Sequence, residues 1–329
     1  MTDIYNRWQL EEAISPEKLI PAIEEGFIAY AQGKVVVPPV GQLLFDDPPG
    51  DCHIKYGYVR GGSTFTIKVA TGFYGNAALG IPSGDGIILV FSATTGQLIT
   101  ILDDKGFLTD ARTAAAGAVA AKLLAPRAVT CIGIVGAGVQ AKMQLDYLRH
   151  VVPTRRAMVW ARSLKKARLY NVEGFDVEVA GSIAHLAANC NLIVTTTPSL
   201  DWLLGAADVR PGTHVTAVGC DGSGKQELDP QLFAKATVRA VDSRKQCAEY
   251  GDSSYAVKQG LIAAADLVEM GEIAQNPSLG RQTESEITIA DLTGVAVQDI
   301  QIAKLAVAAL GKQLQVRVEV TDGEGAIDA

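Results

Sequence analysis

The spacing of apolar and polar positions changes period along this chain. In SPEKLIPAIEEGFIAYAQGK (15–34), apolar residues recur at helical spacing behind Ser15 and Pro16, a cap and a first-turn proline, so a helix is predicted that closes near Gly33. From Val35 to Val90 the texture shifts to short runs of Val, Ile, Tyr and Thr, broken by PP, DDPPG, RGG and GIPSGDG, which reads as a β-rich region. LTDARTAAAGAVAAKLLAP (108–126) then predicts an Ala-rich helix, capped by Thr109 or Asp110, that stops before Pro126. Beyond it TCIGIV, AMVWA, FDVEVA, LIVTTT, HVTAVG and VRAVDS alternate with helix-like or polar connectors, the pattern of a doubly wound parallel sheet. After Glu286, ITIADL reads as a strand passing into a long apolar-faced helix, and VRVEVTDGEGAIDA (316–329) reads as a polar tail.

This order divides the 329 residues into an α+β region over 1–119, completed by the C-terminal helix 300–329, and a Rossmann-type α/β domain over 120–299. The formal net charge of −7, with Lys and Arg scattered, argues against nucleic-acid binding and leaves small molecules as the expected partners. Cys52, Cys131, Cys190, Cys220 and Cys247 form an odd count with no CxxC pair, the usage of a reduced, cytoplasmic protein. The charged N-terminus has no apolar core of a signal peptide, and no later run reaches about 18 uninterrupted apolar residues, so neither secretion nor membrane insertion is expected. No metal site is assigned.

The sharpest motif is CIGIVGAGVQA (131–141), in which Gly136, Gly138 and Ala141 fill the G-x-G-x-x-(G/A) positions between an apolar strand and the helix AKMQLDYLRH. Gly136 permits a tight turn, Gly138 lets the backbone approach a pyrophosphate, and Ala141 lets helix and strand pack closely. The helix start, with Val139 and Gln140, offers amide donors to the phosphates. A nicotinamide dinucleotide, NADP or NAD, is the expected cofactor. The second strand lacks the carboxylate that would hold the ribose of NAD, since AMVWA ends at Ala161 and runs into Arg162 and Ser163. Those two residues suit the 2′-phosphate of NADP, although an Arg can also stack on adenine.

With FTIKVATGF (65–73), GIPSGDGIILVFSATTGQL (80–98), LTDARTAAAGAVAAKLLAP, IGIVGAGVQA (132–141), VTTTP (194–198), VTAVGCDGSGKQELDP (215–230) and DLTGVAVQD (291–299) in this order, the chain resembles the ornithine cyclodeaminase and mu-crystallin family from about residue 15 to 312. That family also holds amino-acid dehydrogenases and ketimine reductases. The resemblance implies a substrate-binding and dimerisation domain made from the N-terminal part and the last helix, a Rossmann domain between them, and a homodimer.

It also implies roles for individual residues. Lys68, alternating to one face of its strand, would meet the substrate carboxylate and imine; a strand-end ion pair is its structural alternative. Arg112, read as lying in the first turn of the Ala-rich helix, needs an anion there, and a substrate carboxylate would serve as well as Asp110. Ser83 matches a position that adds a hydroxyl to the carboxylate cluster, or it is a plain turn serine. Asp221 follows HVTAVGC at the carboxyl end of a strand, where such sheets bind ligands, and matches the family's catalytic carboxylate, able to exchange the amine proton. Thr196, Thr197, Pro198, Lys225 and Val295 match positions around the nicotinamide and pyrophosphate. One departure stands out: the family's Arg after the first PP is Val40 here, and Lys55, in the neighbouring HIKYGYVRGG, is a candidate to restore positive charge or to meet a second carboxylate.

The expected activity is an NAD(P)H-dependent imino-acid reductase or amino-acid dehydrogenase acting on a cyclic or dicarboxylic imine such as pyrroline-2-carboxylate or iminosuccinate. A cyclodeaminase that recycles its NAD internally is the rival enzyme reading, and a non-catalytic, crystallin-like binding protein the rival outside enzymology.

Overall fold

A computed structural model of the chain describes residues 2–322. It falls into two compact units: residues 1–22, 35–109 and 299–329, and residues 23–34 and 110–298. Three helices run through the division, so each unit takes its last turns from an element begun in the other.

The first unit opens with β1 (Asp3–Asn6) and α1 (Arg7–Ala13), two short elements with no counterpart in the periodicity, followed by α2 (Pro16–Ala31). The helix α1 is closed by a capping box, Asn6 Oδ1 accepting from Gln9 N while Gln9 Oε1 accepts from Asn6 N. Next come β2 (Val35–Val36), β3 (Gly41–Asp46), β4 (Pro49–Val59), β5 (Thr64–Gly72), β6 (Gly84–Ser92) and β7 (Leu98–Asp103). Among the described residues they form one sheet in the order β1-β7-β6-β5-β4-β2 with β3 on β4, antiparallel except for β1 against β7. Register sets the chemistry of its face: on β4 and β5, Lys55 lies directly opposite Lys68, so both side chains leave the sheet on the same side.

The helix α3 (Phe107–Leu124) leads out of this unit. Its cap corrects the expectation from sequence. The helix begins two residues before Thr109, and the carboxylate that caps it is Asp104, whose Oδ2 accepts from Leu108 N at 2.7 Å. Thr109 and Asp110 are already inside the first turn. Asp104 wins because it stands just upstream of the turn Lys105-Gly106, both at positive φ, which brings its carboxylate back over the open amides.

In the second unit follow β8 (Ile132–Val135), α4 (Val139–Leu148), β9 (Arg156–Trp160), α5 (Leu164–Arg168), β10 (Asp176–Val179), α6 (Ile183–Asn189), β11 (Leu192–Thr195) and β12 (His214–Ala217). The unit continues through α7 (Pro230–Lys235), β13 (Val238–Val241), α8 (Arg244–Tyr250), α9 (Asp252–Lys258), β14 (Val268–Glu269), α10 (Met270–Gln275), β15 (Thr288–Asp291) and α11 (Ala296–Asp322). All eight strands described are parallel, in the order β10-β9-β8-β11-β12-β15-β13-β14. The chain works outward from β8 and then returns to place β11 on its other side, so the topological switch lies between β8 and β11, where open sheets of this kind bind ligands. The strands are rich in Val, Ile, Ala and Thr, and each of β8, β11, β12 and β15 is buried along its whole length.

Small residues let α3 approach the sheet helices closely. A Cβ on Gly117 would fall 1.9 Å from Gln144 Oε1 of α4, and Gln144 Nε2 donates to Thr113 O. At the other end α11 runs on to Asp322, through the first part of the expected polar tail, and 323–329 lie outside the described residues.

Candidate functional site

The second unit carries a candidate dinucleotide cradle at the start of α4. Gly136 sits at φ +125°, a conformation that L side chains rarely adopt, and a Cβ there would lie 2.4 Å from Thr196 Oγ1. Gly138 is the N-cap of α4, with no side chain to bond the first amides, and a Cβ on it would meet nothing within 4 Å. Open space in front of unmatched helix amides is what a pyrophosphate requires, so the residues present fit a dinucleotide. Ala141 is fully buried against the sheet, and Val139 is 62% exposed at the helix start. The Gln140 side chain is turned away to α3, donating to Asp110 Oδ1 at 2.8 Å, which leaves its backbone amide as its means of reaching a phosphate. Arg162 and Ser163 are exposed after β9, and the Ser163 hydroxyl accepts from Lys166 N as the N-cap of α5.

Thr196 and Thr197 follow β11, and Gly219 and Asp221 follow β12, with Gly219 packed against the Thr197 carbonyl. Thr196 Oγ1 donates to Val135 O. Lys225 Nζ lies 2.6 Å from Asp221 Oδ1, so these two sequence candidates form one ion pair rather than two independent groups. Val295 is fully buried, and its N–H donates to Asp242 Oδ2.

Arg112 is buried and is the sixth residue of α3, in the second turn rather than the first, since the helix starts at Phe107. The argument that placed an anion against the helix amides there therefore falls, while the cation itself is held in another way. Its Nη1 donates to Gln298 Oε1 at 2.7 Å, Gln298 Nε2 donates to Asp242 Oδ2 at 3.2 Å, and Asp242 also accepts from Gly294 N and Thr293 Oγ1. Gly294, at φ +80°, must be glycine twice over, because a Cβ would lie 2.6 Å from Arg112 Nη1.

In the first unit Lys68 is 1% exposed and its ammonium lies 2.9 Å from Asp299 Oδ1, at the start of α11. Lys55, opposite it, is also buried. Asp104, the cap of α3, is near enough to feel the Lys68 charge, but burial dominates and pushes its carboxyl above the usual carboxylate range. Ser83 is half-buried at the bend just before β6, and its backbone carbonyl accepts from Phe73 N. Asp104, Asp242, Glu227, Gln298 and Asp299 were not singled out by sequence reasoning. Three of them, Glu227, Gln298 and Asp299, lie inside the motifs VTAVGCDGSGKQELDP and DLTGVAVQD, and only folding shows what they touch.

Beneath the cradle Glu227, Asp252 and Asp291 are fully buried. Burial raises the carboxyl of Glu227, burial and then repulsion from Asp291 and Glu227 raise that of Asp252, and burial carries Asp291 to about 7. His214, bonded to Thr288 and Thr216 hydroxyls, is pushed down to about 3 and stays neutral. For a carboxyl raised in the fold, stability is complete below the ordinary value near 3.8 and is lost as pH rises through 7. His214 acts with the opposite sign, but only below 6.5, where its unfolded form takes up a proton. Between pH 6.5 and 8.5 the fold should therefore lose about 1 kcal/mol through Asp291, read as a fall of about 1–2 °C in Tm. Asp291→Asn, which keeps an acceptor for Ser253 N, should flatten that slope; an unchanged slope in scanning calorimetry would refute the assignment.

Comparison with known proteins follows the same lines. A family model described as the ornithine cyclodeaminase/mu-crystallin family matches residues 1–310. An uncharacterized cyclodeaminase of Sinorhizobium fredii is 40% identical over 294 residues, covering 87% of this chain and 89% of that one. The iminosuccinate reductase of Paracoccus denitrificans is 30% identical over 311 residues, covering 93% and 96%; its crystal structure in complex with NAD+ superposes with a TM-score of 0.86 over 95% of this chain and 97% of that one. The Δ1-pyrroline-2-carboxylate reductase of Thermococcus litoralis, in complex with NADH and L-proline, gives a TM-score of 0.89 at 28% identity, covering 95% and 98%.

Proposed function

Because the chain belongs to the ornithine cyclodeaminase/mu-crystallin family, we propose that it is a nicotinamide-dependent oxidoreductase that reduces an α-imino acid to the amino acid. The observation that carries the substrate class is the placing of two lysines, Lys55 and Lys68, directly opposite one another on the buried face of β4 and β5. Two ammonium groups on one buried face, one of them held by Asp299, make that face suited to anionic groups. Two lysines together favour a dicarboxylic imine such as iminosuccinate over a cyclic one such as pyrroline-2-carboxylate, which carries one carboxylate.

When bound, the dinucleotide supplies the hydride that reaches the α-carbon. Gly136 and Gly138 admit its pyrophosphate, the amides of Val139, Gln140 and Ala141 bind it, and Thr196, Thr197 and Val295 border the nicotinamide end. Arg162, in the place where a carboxylate would select NAD, supports NADP(H), with Ser163 beside it. Arg112 and Lys68 hold the α-carboxylate, and Lys68 also polarises the C=N bond. Lys55 takes the second carboxylate, and Ser83 adds a hydroxyl to the group. Asp221, ion-paired with Lys225, stabilises the protonated imine nitrogen and exchanges a proton with it as the imine is reduced. Domain roles follow: the first unit binds substrate and dimerises, and the second binds the dinucleotide. Exposed Leu43, Leu44 and Phe45 along β3 support a homodimer built through the first unit. All five cysteines are free and buried, and no helix among the described residues is long and apolar enough to cross a membrane, in keeping with a cytoplasmic enzyme.

Purified protein given NADPH or NADH with oxaloacetate and ammonia, with pyruvate and methylamine, or with pyrroline-2-carboxylate should oxidise the cofactor stoichiometrically, fastest with the dicarboxylic imine. No oxidation with any imine would overturn the reading. The 40% identical relative described as a cyclodeaminase keeps one second reading in view: ammonia released from ornithine with no net change in the cofactor would establish it.

A further inference from the structure

Glu227 is fully buried, yet its carboxylate accepts four hydrogen bonds from the two loops that border the nicotinamide end. Oε1 takes Thr197 N at 2.5 Å and Thr197 Oγ1 at 2.8 Å; Oε2 takes Thr195 Oγ1 at 2.8 Å and Gly219 N at 2.7 Å. Thr195 ends β11 and Thr197 lies two residues beyond it, Gly219 follows β12, and Asp221 is two residues further on. The loops touch at this point, since a Cβ on Gly219 would fall 2.1 Å from Thr197 O and 2.6 Å from Glu227 Cδ. Glu227 is itself fixed from behind, because Asp252 Oδ1 accepts both Glu227 N and Leu228 N, at 2.8 and 2.9 Å.

All four partners of the carboxylate are donors. These four bonds oppose the upward push of burial on the carboxyl. One side chain thereby sets the spacing of the two strand ends, and none of the four bonds goes to the Gly136–Ala141 cradle.

We infer that Glu227 is a positioning residue for the nicotinamide half of the cofactor: through Thr195, Thr197 and Gly219 it fixes the walls that receive the nicotinamide and the loop that carries Asp221, while the adenosine diphosphate half binds independently of it. The inference rests on the proposed use of a nicotinamide dinucleotide, and it predicts a selective effect that a generally destabilising substitution would not give. ADP-ribose carries the pyrophosphate and lacks the nicotinamide.

The test is a pair of binding titrations, NADH by its fluorescence and ADP-ribose by calorimetry, on the wild type and on Glu227→Gln. The amide of Gln turns a donor toward Gly219 N–H or Thr197 N–H and so breaks the clamp on one side. NADH should bind at least tenfold more weakly to the variant, and ADP-ribose within twofold of the wild type. Thr195→Val, close in shape and removing one of the four bonds from a buried strand residue, should give the same selectivity at about threefold, and it reports should Glu227→Gln fail to fold. Equal weakening of both ligands, or no weakening of either, would overturn the inference. A wild type that bound NADH normally alongside unaffected variants would sink this inference alone; a wild type that bound no dinucleotide would sink the proposed function with it.

Discussion

Lys68→Met should abolish turnover and lower the free energy of unfolding by about 3–5 kcal/mol, the usual consequence of removing one member of a buried ion pair. The ammonium is 1% exposed and 2.9 Å from Asp299, so its removal leaves that carboxylate at 2% side-chain exposure with its countercharge gone. The double variant Lys68→Met/Asp299→Leu separates the two roles of the lysine. With both charges replaced by apolar groups of similar shape, most of the stability should return, because the desolvation of the pair is removed together with its attraction. Turnover should stay at background, since the substrate carboxylate would still meet no ammonium. Denaturant unfolding and steady-state kinetics on the three variants check this. Activity in Lys68→Met, or activity restored by the double variant, would remove Lys68 from the site.

Arg112→Lys should lower kcat/KM by roughly a hundredfold, about 2.7 kcal/mol, mainly through KM, with little change in Tm. The charge is kept and the fork is lost. Gln298 fixes Nη1, and the backbone of Gly294 leaves room for a flat guanidinium that an ammonium cannot fill in the same way. Gln298→Leu should move KM in the same direction by a smaller factor, because the bond that orients the guanidinium is gone while the guanidinium remains. Unchanged KM in Arg112→Lys would mean that Arg112 serves the fold and not the substrate.

The Rossmann half was legible because its signals are local. Each strand from TCIGIV to VRAVDS announces itself within a few residues, and G-x-G-x-x-A fixes the turn between β8 and α4. The start of α3 was misplaced because Thr109 and Asp110 are good capping residues by type, while the cap in use, Asp104, depends on a two-residue turn at positive φ. At the site, residue types were readable and pairings were not. Lys68 finds Asp299 across 231 positions, and Arg112 finds Gln298 across 186. No periodicity reports contacts of that range. Lys55 was singled out for its charge; its register opposite Lys68 came only with the strand pairing. β1 and α1 escaped notice because four and seven residues are too few to show a period.

Gln298 and Asp299 are consecutive residues of α11, one bonded to Arg112 and the other to Lys68. For a chain made from its N-terminus, this fixes an order of maturation. The sheet that carries Lys68 is synthesised within the first 109 residues, but the carboxylate 2.9 Å from its ammonium leaves the ribosome some 190 residues later. The part of the protein made first is therefore completed last, and a nascent chain halted short of α11 carries Lys68 without the carboxylate of Asp299.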